Sequence, residues 1–193
     1  MQQTGRLEIL TCGATHGYLP LMNNRNAQRA QIAVAVQTHE RLLGVAPRGI
    51  WLPECGYVPG HEVYLKEAGL RFSFLEAHGL TEAHPQPSFG VHAPLVSPGG
   101  IVFFGRDMES SRQVWSSESG YPGDFDYREF YKDIGWELPW DDLAAFLPDG
   151  QRKNLGIKYH RVTGEVQLHE KQLWDVDRAR ARAEEHAGNF LFN

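Results

Sequence analysis

The sequence predicts an α/β fold built on a parallel sheet. Short apolar runs alternate with segments of helical composition, the order in which a chain forms β-to-α units. The first two apolar runs are each followed by a turn of small and polar residues, as at the ligand-binding edge of such sheets. Strands are predicted at residues 7–11, 49–53, 71–75 and 101–104, and helices at residues 24–43, 62–68 and 173–192.

The helices and loops follow from local composition. In the first predicted helix, apolar residues occur at Ile32, Val36 and Leu43, and Gly44 is well placed to end the helix. The last helix is rich in Ala, Arg and Glu, which favour helix. Residues 79–100, rich in Pro, Gly, His and Ser, are predicted to form an excursion loop, and long loops of this kind often act as lids. Residues 120–148 show little period and are predicted to be irregular.

Composition narrows the class of protein. The chain has 193 residues, 41% of them hydrophobic and 22% charged, which indicates a globular protein and most simply one domain. The net charge of −5 comes without a basic stripe, which argues against a nucleic-acid or anionic-membrane partner. No apolar run approaches the ~20 residues of a bilayer span, and the first residues lack a secretion signal. We therefore expect a cytoplasmic protein with a neutral partner; the oligomeric state is not indicated.

Polar side chains follow the predicted strands. Glu54 lies in the segment Trp-Leu-Pro-Glu-Cys-Gly-Tyr, directly after the second strand, and His16 follows the first. Because the carboxyl ends of parallel strands meet at one edge of a sheet, these two strand ends predict one shared site. A carboxylate among aromatic side chains suits the handling of a sugar. Cys12 and Cys55 lie beside these residues and are expected to be reduced thiols.

Several motifs in order resemble one known family. Taken together they are similar to glycoside hydrolase family 57, and more narrowly to its 1,4-α-glucan branching enzymes. The motifs lie at residues 10–18, 51–57, 104–107, 113–116, 120–123 and 127–131. The resemblance implies part of a distorted seven-stranded (β/α) barrel, with residues 1–193 as the middle portion of the catalytic domain, incomplete at both ends, and residues 79–100 as its lid.

The resemblance also implies an activity. Such enzymes cut an α-1,4 glucan such as amylose and rejoin it through an α-1,6 bond in glycogen synthesis, with no cofactor and no metal. Glu54 matches the family's catalytic nucleophile, and His16 matches a histidine expected to bond to Glu54 or a sugar hydroxyl. A retaining enzyme needs a second carboxylate ~5 Å from the nucleophile. No segment here resembles the one that carries it, so we expect it outside these residues and expect the chain alone to be inactive and poorly soluble.

Further residues are assigned to the substrate by the same resemblance. Arg106 and the backbone of Gly123 match positions that contact sugar, and Trp115 matches a tryptophan that forms a sugar platform. Core packing stays open for Trp115, as does a local Arg106–Asp107 ion pair. Tyr57 flanks the nucleophile and could either pack or contact substrate. Phe89 stands where the family's lid has a tyrosine whose hydroxyl favours transfer over attack by water, so branching and hydrolysis both remain open.

Three alternatives remain. The chain could belong to an α-glucan hydrolase of the amylase or 4-α-glucanotransferase type. It could be a non-catalytic glucan-binding module, in which case binding would survive Glu54→Gln. A metal-dependent polysaccharide deacetylase is a weak third possibility, because the nine histidines form no His-x-x-His cluster and lack close ligand spacing.

Overall fold

A five-stranded sheet organises the first part of the chain. The computed structural model describes residues 2–192, and the chain divides into two compact units, Met1–Met108 and Glu109–Asn193. The first unit contains β1 (Thr11–Cys12), β2 (Gly49–Trp51), β3 (Phe72–Leu75), β4 (Leu95–Val96) and β5 (Val102–Gly105), with α1 (Arg25–Leu43), α2 (His61–Glu67) and α3 (Ala77–Thr81). The strand order is β1-β2-β3-β5-β4, and only β4 runs antiparallel to its neighbour. The predicted α/β class is confirmed.

The two faces of the sheet carry different side chains. Ile50, Ser73 and Phe103 lie in one buried row, and the Ser73 hydroxyl donates to the Ile50 carbonyl at 2.7 Å. Thr11 is in register with Ile50, and its hydroxyl donates to the carbonyl of Ala35 in α1. This row therefore faces the helices, and the hydrophobic core lies between sheet and helices.

The next row along the strands points to the opposite face, because side chains alternate along a strand. Cys12 and Trp51 are register partners, and so are Phe74 and Phe104. The Trp51 and Phe74 rings lie 5.8 Å apart, and the Phe74 and Phe104 rings 5.7 Å apart. An aromatic row thus lines the second face, and Cys12 stands at its β1 end.

Helix α1 has both of the ends that local chemistry predicts. The Asn24 side chain accepts hydrogen bonds from the N–H groups of Asn26 at 2.9 Å and Ala27 at 3.3 Å. Gly44 ends the helix in the left-handed conformation, with φ 74°. Ile32 is fully buried, whereas Leu43 is exposed.

Removing the cap of α1 is expected to destabilise the first unit. Asn24→Ala leaves two N–H groups without their acceptor and should lower the free energy of unfolding by about 1 kcal/mol. Denaturant titration measures the difference. Asn24→Asp keeps an acceptor at the same place and should stay near the wild type; an equal loss in both variants would contradict the capping role.

Several predicted boundaries of the first unit differ from the structure. The first strand was predicted at 7–11, but the residues that pair are Thr11 and Cys12, in register with Ile50 and Trp51 of β2. The second was predicted at 49–53 and ends at Trp51, because residues 53–55 form a short 3₁₀ turn. The predicted loop 79–100 contains the end of α3 and the whole of β4. The stretch outside these elements that could move as a lid is therefore 82–94.

The second unit is helical and irregular. Its helices are α4 (Met108–Trp115), α5 (Ile134–Glu137), α6 (Trp140–Leu143) and α7 (Val176–Phe192). Residues 120–148 form short helices and turns, close to the irregular structure predicted. Helix α7 begins three residues later than predicted because Leu173 forms a bridge with His160, and Asp175 then accepts from the N–H groups of Asp177 and Arg178. Within residues 2–192, no helix is long and apolar enough to cross a bilayer.

A buried carboxylate holds the loops of the second unit together. Asp133 is 1% exposed. One oxygen accepts from the N–H groups of Gly135 and Leu155, both at 2.9 Å, and the other from Gly156 N–H at 2.9 Å and Lys158 Nζ at 3.3 Å. Burial alone would raise the pKa of Asp133, but these hydrogen bonds outweigh it and lower the pKa. One side chain thereby joins the start of α5 to a segment about twenty residues later in the chain.

Candidate active site

Four parallel strands are each followed by a polar or charged side chain beyond their carboxyl ends. His16 follows β1, Glu54 follows β2, Glu76 follows β3 and Arg106 follows β5 directly. Ligands of open parallel sheets bind at this edge. The first unit therefore has its candidate site where the sequence predicts it.

His16 and Glu54 are in direct contact. His16 Nε2 lies 3.1 Å from Glu54 Oε1, and His16 Nδ1 lies 3.4 Å from the sulfur of Cys12. The Glu54 side chain is 75% exposed and that of His16 57%, so the pair is open to a ligand. The structure brings the two residues together as predicted, while their roles as nucleophile and substrate contact remain predictions.

The backbone is strained at this pair. His16 has φ 53°, and Glu54 and Cys55 each have φ 52°, in the left-handed region that non-glycine residues rarely adopt. Such a conformation costs on the order of 1–3 kcal/mol per residue and is concentrated at functional sites. The Glu54 turn is held by a hydrogen bond from Cys55 N–H to the Leu52 carbonyl at 2.9 Å. The fold thus maintains Glu54 in an unfavourable conformation that fixes where its carboxylate points.

Two glycines let the surrounding loops approach each other. A Cβ atom on Gly13 would lie 2.8 Å from the Pro53 side chain, and one on Gly56 would lie 2.4 Å from the Tyr18 ring. Both distances are below 3.0 Å, the shortest approach that a Cβ atom makes in real structures. The loop that carries His16 and the loop that carries Glu54 therefore pack against each other only because these positions lack side chains.

Arg106 lies at the same edge. Its guanidinium forms an ion pair with Glu76 and lies 5.7 Å from the centre of the Trp51 ring. The Cys55 thiol, next in sequence to Glu54, is close to both charges: burial raises its pKa first, Glu76 raises it further, and Arg106 opposes them. Arg106 is therefore positioned beside the Glu54 turn. The sequence left a local Arg106–Asp107 ion pair open, and Glu76 is the ion-pair partner that the structure gives to Arg106.

Glu76 was not assigned a role from the sequence. The available signal was its place directly after β3, the same place that Glu54 has near the end of β2. Its pairing with Arg106 depends on β3 and β5 being neighbours in the sheet. That adjacency is a tertiary feature, which the order of elements along the chain does not specify.

Tyr57 and Phe89 differ in their surroundings. The Tyr57 ring lies 4.7 Å from the Phe103 ring, and its hydroxyl donates to Glu62 at 2.9 Å. Burial and this hydrogen bond raise the pKa of Tyr57. These contacts favour the packing alternative for Tyr57, and its contact with sugar stays a prediction. Phe89 is 71% exposed within 82–94, as a lid residue would be, and its role is likewise a prediction.

Trp115 and Gly123 belong to the second unit. Trp115 ends α4 and is 73% exposed, which argues against core packing. Gly123 lines a cleft of about 720 Å³ within that unit, together with Tyr121, Arg182 and His186. A Cβ atom on Gly123 would lie 2.1 Å from the Ser117 carbonyl oxygen, so close backbone packing already requires glycine. Substrate contact by Trp115 and Gly123 remains a prediction.

Metal binding has no support in the part of the chain that the structure describes. Residues 2–192 contain no group of three or more His, Cys, Asp or Glu side chains arranged to hold a metal ion. The deacetylase alternative, which depends on such a group, therefore gains nothing from the geometry.

The fold and the charged strand ends define an α/β protein with a candidate site at the carboxyl edge of the sheet, and comparison with known proteins defines the family. The family model for glycosyl hydrolase family 57 matches residues 1–179. The chain belongs to glycosyl hydrolase family 57, and the resemblance inferred from the motifs is confirmed.

Relatives of more than one activity are similar to the chain. The 1,4-alpha-glucan branching enzyme of Thermococcus kodakarensis is 36% identical over 99% of this chain and 30% of its own length. The crystal structure of the alpha-amylase AmyC from Thermotoga maritima has a TM-score of 0.84 at 45% identity, over 99% of this chain and 38% of that one. The branching enzyme from Pyrococcus horikoshii has a TM-score of 0.75 at 34% identity, over 98% and 34%. The chain spans between 30% and 38% of the length of these proteins.

Proposed function

We propose that Glu54 is the nucleophile of a retaining enzyme that acts on α-1,4-glucans, and that the reaction is 1,4-α-glucan branching. The observation that carries the proposal is the Glu54 carboxylate itself: exposed at the end of β2, held in a strained turn and bonded to His16 at 3.1 Å. Relatives named as branching enzymes support the choice of reaction.

The chemistry follows the double displacement of retaining enzymes. Glu54 attacks the anomeric carbon and forms a glycosyl ester, while a second carboxylate protonates the departing sugar oxygen. The second carboxylate, now ionised, takes the proton of a 6-hydroxyl on another glucan chain as that oxygen attacks the anomeric carbon. The bond to Glu54 breaks, and an α-1,6 branch results. An N–H of His16 stabilises the Glu54 carboxylate before attack and again as it leaves. We propose that the second carboxylate and the remaining strands of a seven-stranded barrel belong to a longer chain than these 193 residues.

Covalent trapping tests this proposal without the second carboxylate. In 5-fluoro-α-maltosyl fluoride the leaving group is fluoride, which departs without protonation, so the nucleophile can be tested by itself. We expect intact-protein mass spectrometry to show one sugar adduct and peptide mapping to place it on Glu54. An adduct on another residue would overturn the assignment. The absence of any adduct, under conditions that label AmyC, would also overturn the assignment. If amylose binding were retained in that case, the result would favour the glucan-binding module.

Hydrolysis is a second candidate, favoured by two observations. Phe89 lacks the hydroxyl that the resemblance associates with transfer, and AmyC, at 45% identity, is named as an alpha-amylase. In this alternative the acceptor is water, and the product is a free reducing end. The same Glu54 ester precedes both outcomes, so the proposed nucleophile is common to the two.

Phe89→Tyr is expected to shift the products towards transfer. One added hydrogen bond changes a barrier by about 0.5–1.5 kcal/mol, which corresponds to a ratio of transfer to hydrolysis raised about 2–10-fold. The measurement uses α-maltosyl fluoride as donor and maltoheptaose as acceptor, with fluoride release giving total turnover and chromatography giving the transfer product. Phe89→Leu should leave the ratio unchanged. An equal shift in both variants would show that the hydroxyl is not the cause.

A further inference from the structure

Cys12 is the third member of a hydrogen-bonded chain that ends at Glu54. Its sulfur lies 3.4 Å from His16 Nδ1, and the opposite ring nitrogen, Nε2, lies 3.1 Å from Glu54 Oε1. Cys12 is also the register partner of Trp51, three residues before Glu54. Next to the last paired residues of β1 and β2, contacts thus run from the thiol to the imidazole and from the imidazole to the carboxylate.

The chemistry of the three groups decides where the proton of His16 lies. A neutral imidazole carries one proton, on one of its two nitrogens, and the other nitrogen accepts. The Glu54 carboxylate must be ionised to act as a nucleophile, and an ionised carboxylate only accepts hydrogen bonds. The proton therefore belongs on Nε2, and Nδ1 needs a donor.

Cys12 can supply that donor. Burial raises the pKa of the Cys12 thiol, the Gly13 backbone opposes this, and the negative charge of Glu54 raises the pKa further. The thiol therefore keeps its S–H near neutral pH instead of becoming a thiolate. The same carboxylate that needs the His16 proton helps keep the Cys12 proton in place.

We propose that Cys12 is a positioning residue that donates to His16 Nδ1 and holds the ring in the tautomer whose Nε2–H faces Glu54. The inference rests on the proposed function, because it assigns a role relative to the nucleophile. Without the thiol, the proton of His16 is free to move to Nδ1, which turns an unprotonated nitrogen towards the carboxylate. His16 would then repel the charge that it otherwise stabilises.

The test compares Cys12→Ala with Cys12→Ser, which keeps a donor at the same position. Long-range ¹H–¹⁵N spectra of the histidine rings at about pH 8, where imidazole is neutral, report the tautomer directly. We expect the Nε2–H form of His16 in the wild type and Cys12→Ser, and a mixture in Cys12→Ala. We also expect labelling by 5-fluoro-α-maltosyl fluoride to be about 5-fold slower in Cys12→Ala, the worth of one hydrogen bond, and largely restored in Cys12→Ser.

The controls separate this inference from the proposed function. Cys55→Ala removes the other thiol beside Glu54 and should leave the His16 tautomer unchanged. If Cys12→Ala does not fold, Cys12→Thr and Cys12→Val give the same comparison, since they differ by the hydroxyl donor. An unchanged Nε2–H form in the variants without a donor would overturn the inference even if Glu54 is labelled. The His16 tautomer could instead change in the variants without a donor while Glu54 is never labelled. That result would support the contact between Cys12 and His16 and refute Glu54 as the nucleophile.

Discussion

Glu54→Gln is expected to slow the first release of fluoride from α-maltosyl fluoride by about 10⁴–10⁶-fold, the scale of losing a catalytic nucleophile. The amide is nearly isosteric and can still contact His16, but it cannot form the glycosyl ester. A single-turnover measurement of fluoride release gives the loss. Because fluoride needs no proton to leave and ester formation needs no base, this first step tests the nucleophile without the second carboxylate.

Two further variants make the result specific. Glu54→Gly opens space at the same position, and added azide should restore turnover and yield the β-glycosyl azide, because attack then comes from the face that Glu54 occupied. Glu40→Gln changes an exposed glutamate of α1 outside the site and should turn over like the wild type. Turnover by Glu54→Gln within about tenfold of the wild type would refute the assigned role.

Asp133→Ala is expected to have the largest effect on stability. Removing the carboxylate leaves Lys158 and three backbone N–H groups without their common acceptor, in a place where Asp133 is 1% exposed. We expect the free energy of unfolding to fall by about 3–5 kcal/mol, as for other broken buried pairs. Tryptophan fluorescence in denaturant follows the transition, since Trp115, Trp136, Trp140 and Trp174 all lie in the second unit. Asp142→Ala, on an exposed face of α6, should cost less than about 1 kcal/mol.

The same carboxylate predicts a pH dependence with a definite sign. Its pKa is lowered in the folded chain, so its contribution is fully present above the unfolded value of about 4 and is lost as the pH falls towards the folded value. The stability difference between the wild type and Asp133→Ala should therefore shrink below about pH 4. A difference that stays constant through acid pH would show that the charge of Asp133 is not what stabilises the loops.

Local chemistry accounts for the parts of the fold that the sequence predicts well. The ends of α1 follow from Asn24 and Gly44, which act within one turn of the helix. His16 and Glu54 are found because each follows a strand. The remaining features depend on partners further along the chain: the extent of β1 is set by which of its residues pair with β2, and Leu173 forms a bridge with His160.

The same limit applies to the charged pairs. Arg106 meets Glu76 only because β5 lies beside β3, with β4 displaced to the sheet edge. The local signal at Asp133 is only that of a helix cap, which accounts for its bond to Gly135 N–H. Its other two N–H donors and its lysine follow more than twenty residues later in the chain. Patterns of neighbouring residues cannot identify such contacts before the topology is known.

The left-handed backbone at residues 16, 54 and 55 sets stability and chemistry against each other. Glycine at any of these positions would relax the backbone, yet at residues 16 and 54 it would also remove the imidazole or the carboxylate that the proposed function needs. Selection for heat resistance alone would therefore favour loss of these two side chains, whereas selection for activity would retain them and the strain that they cause. In an engineered thermostable descendant, His16 and Glu54 should be held fixed while the rest of the chain, Cys55 included, is allowed to vary.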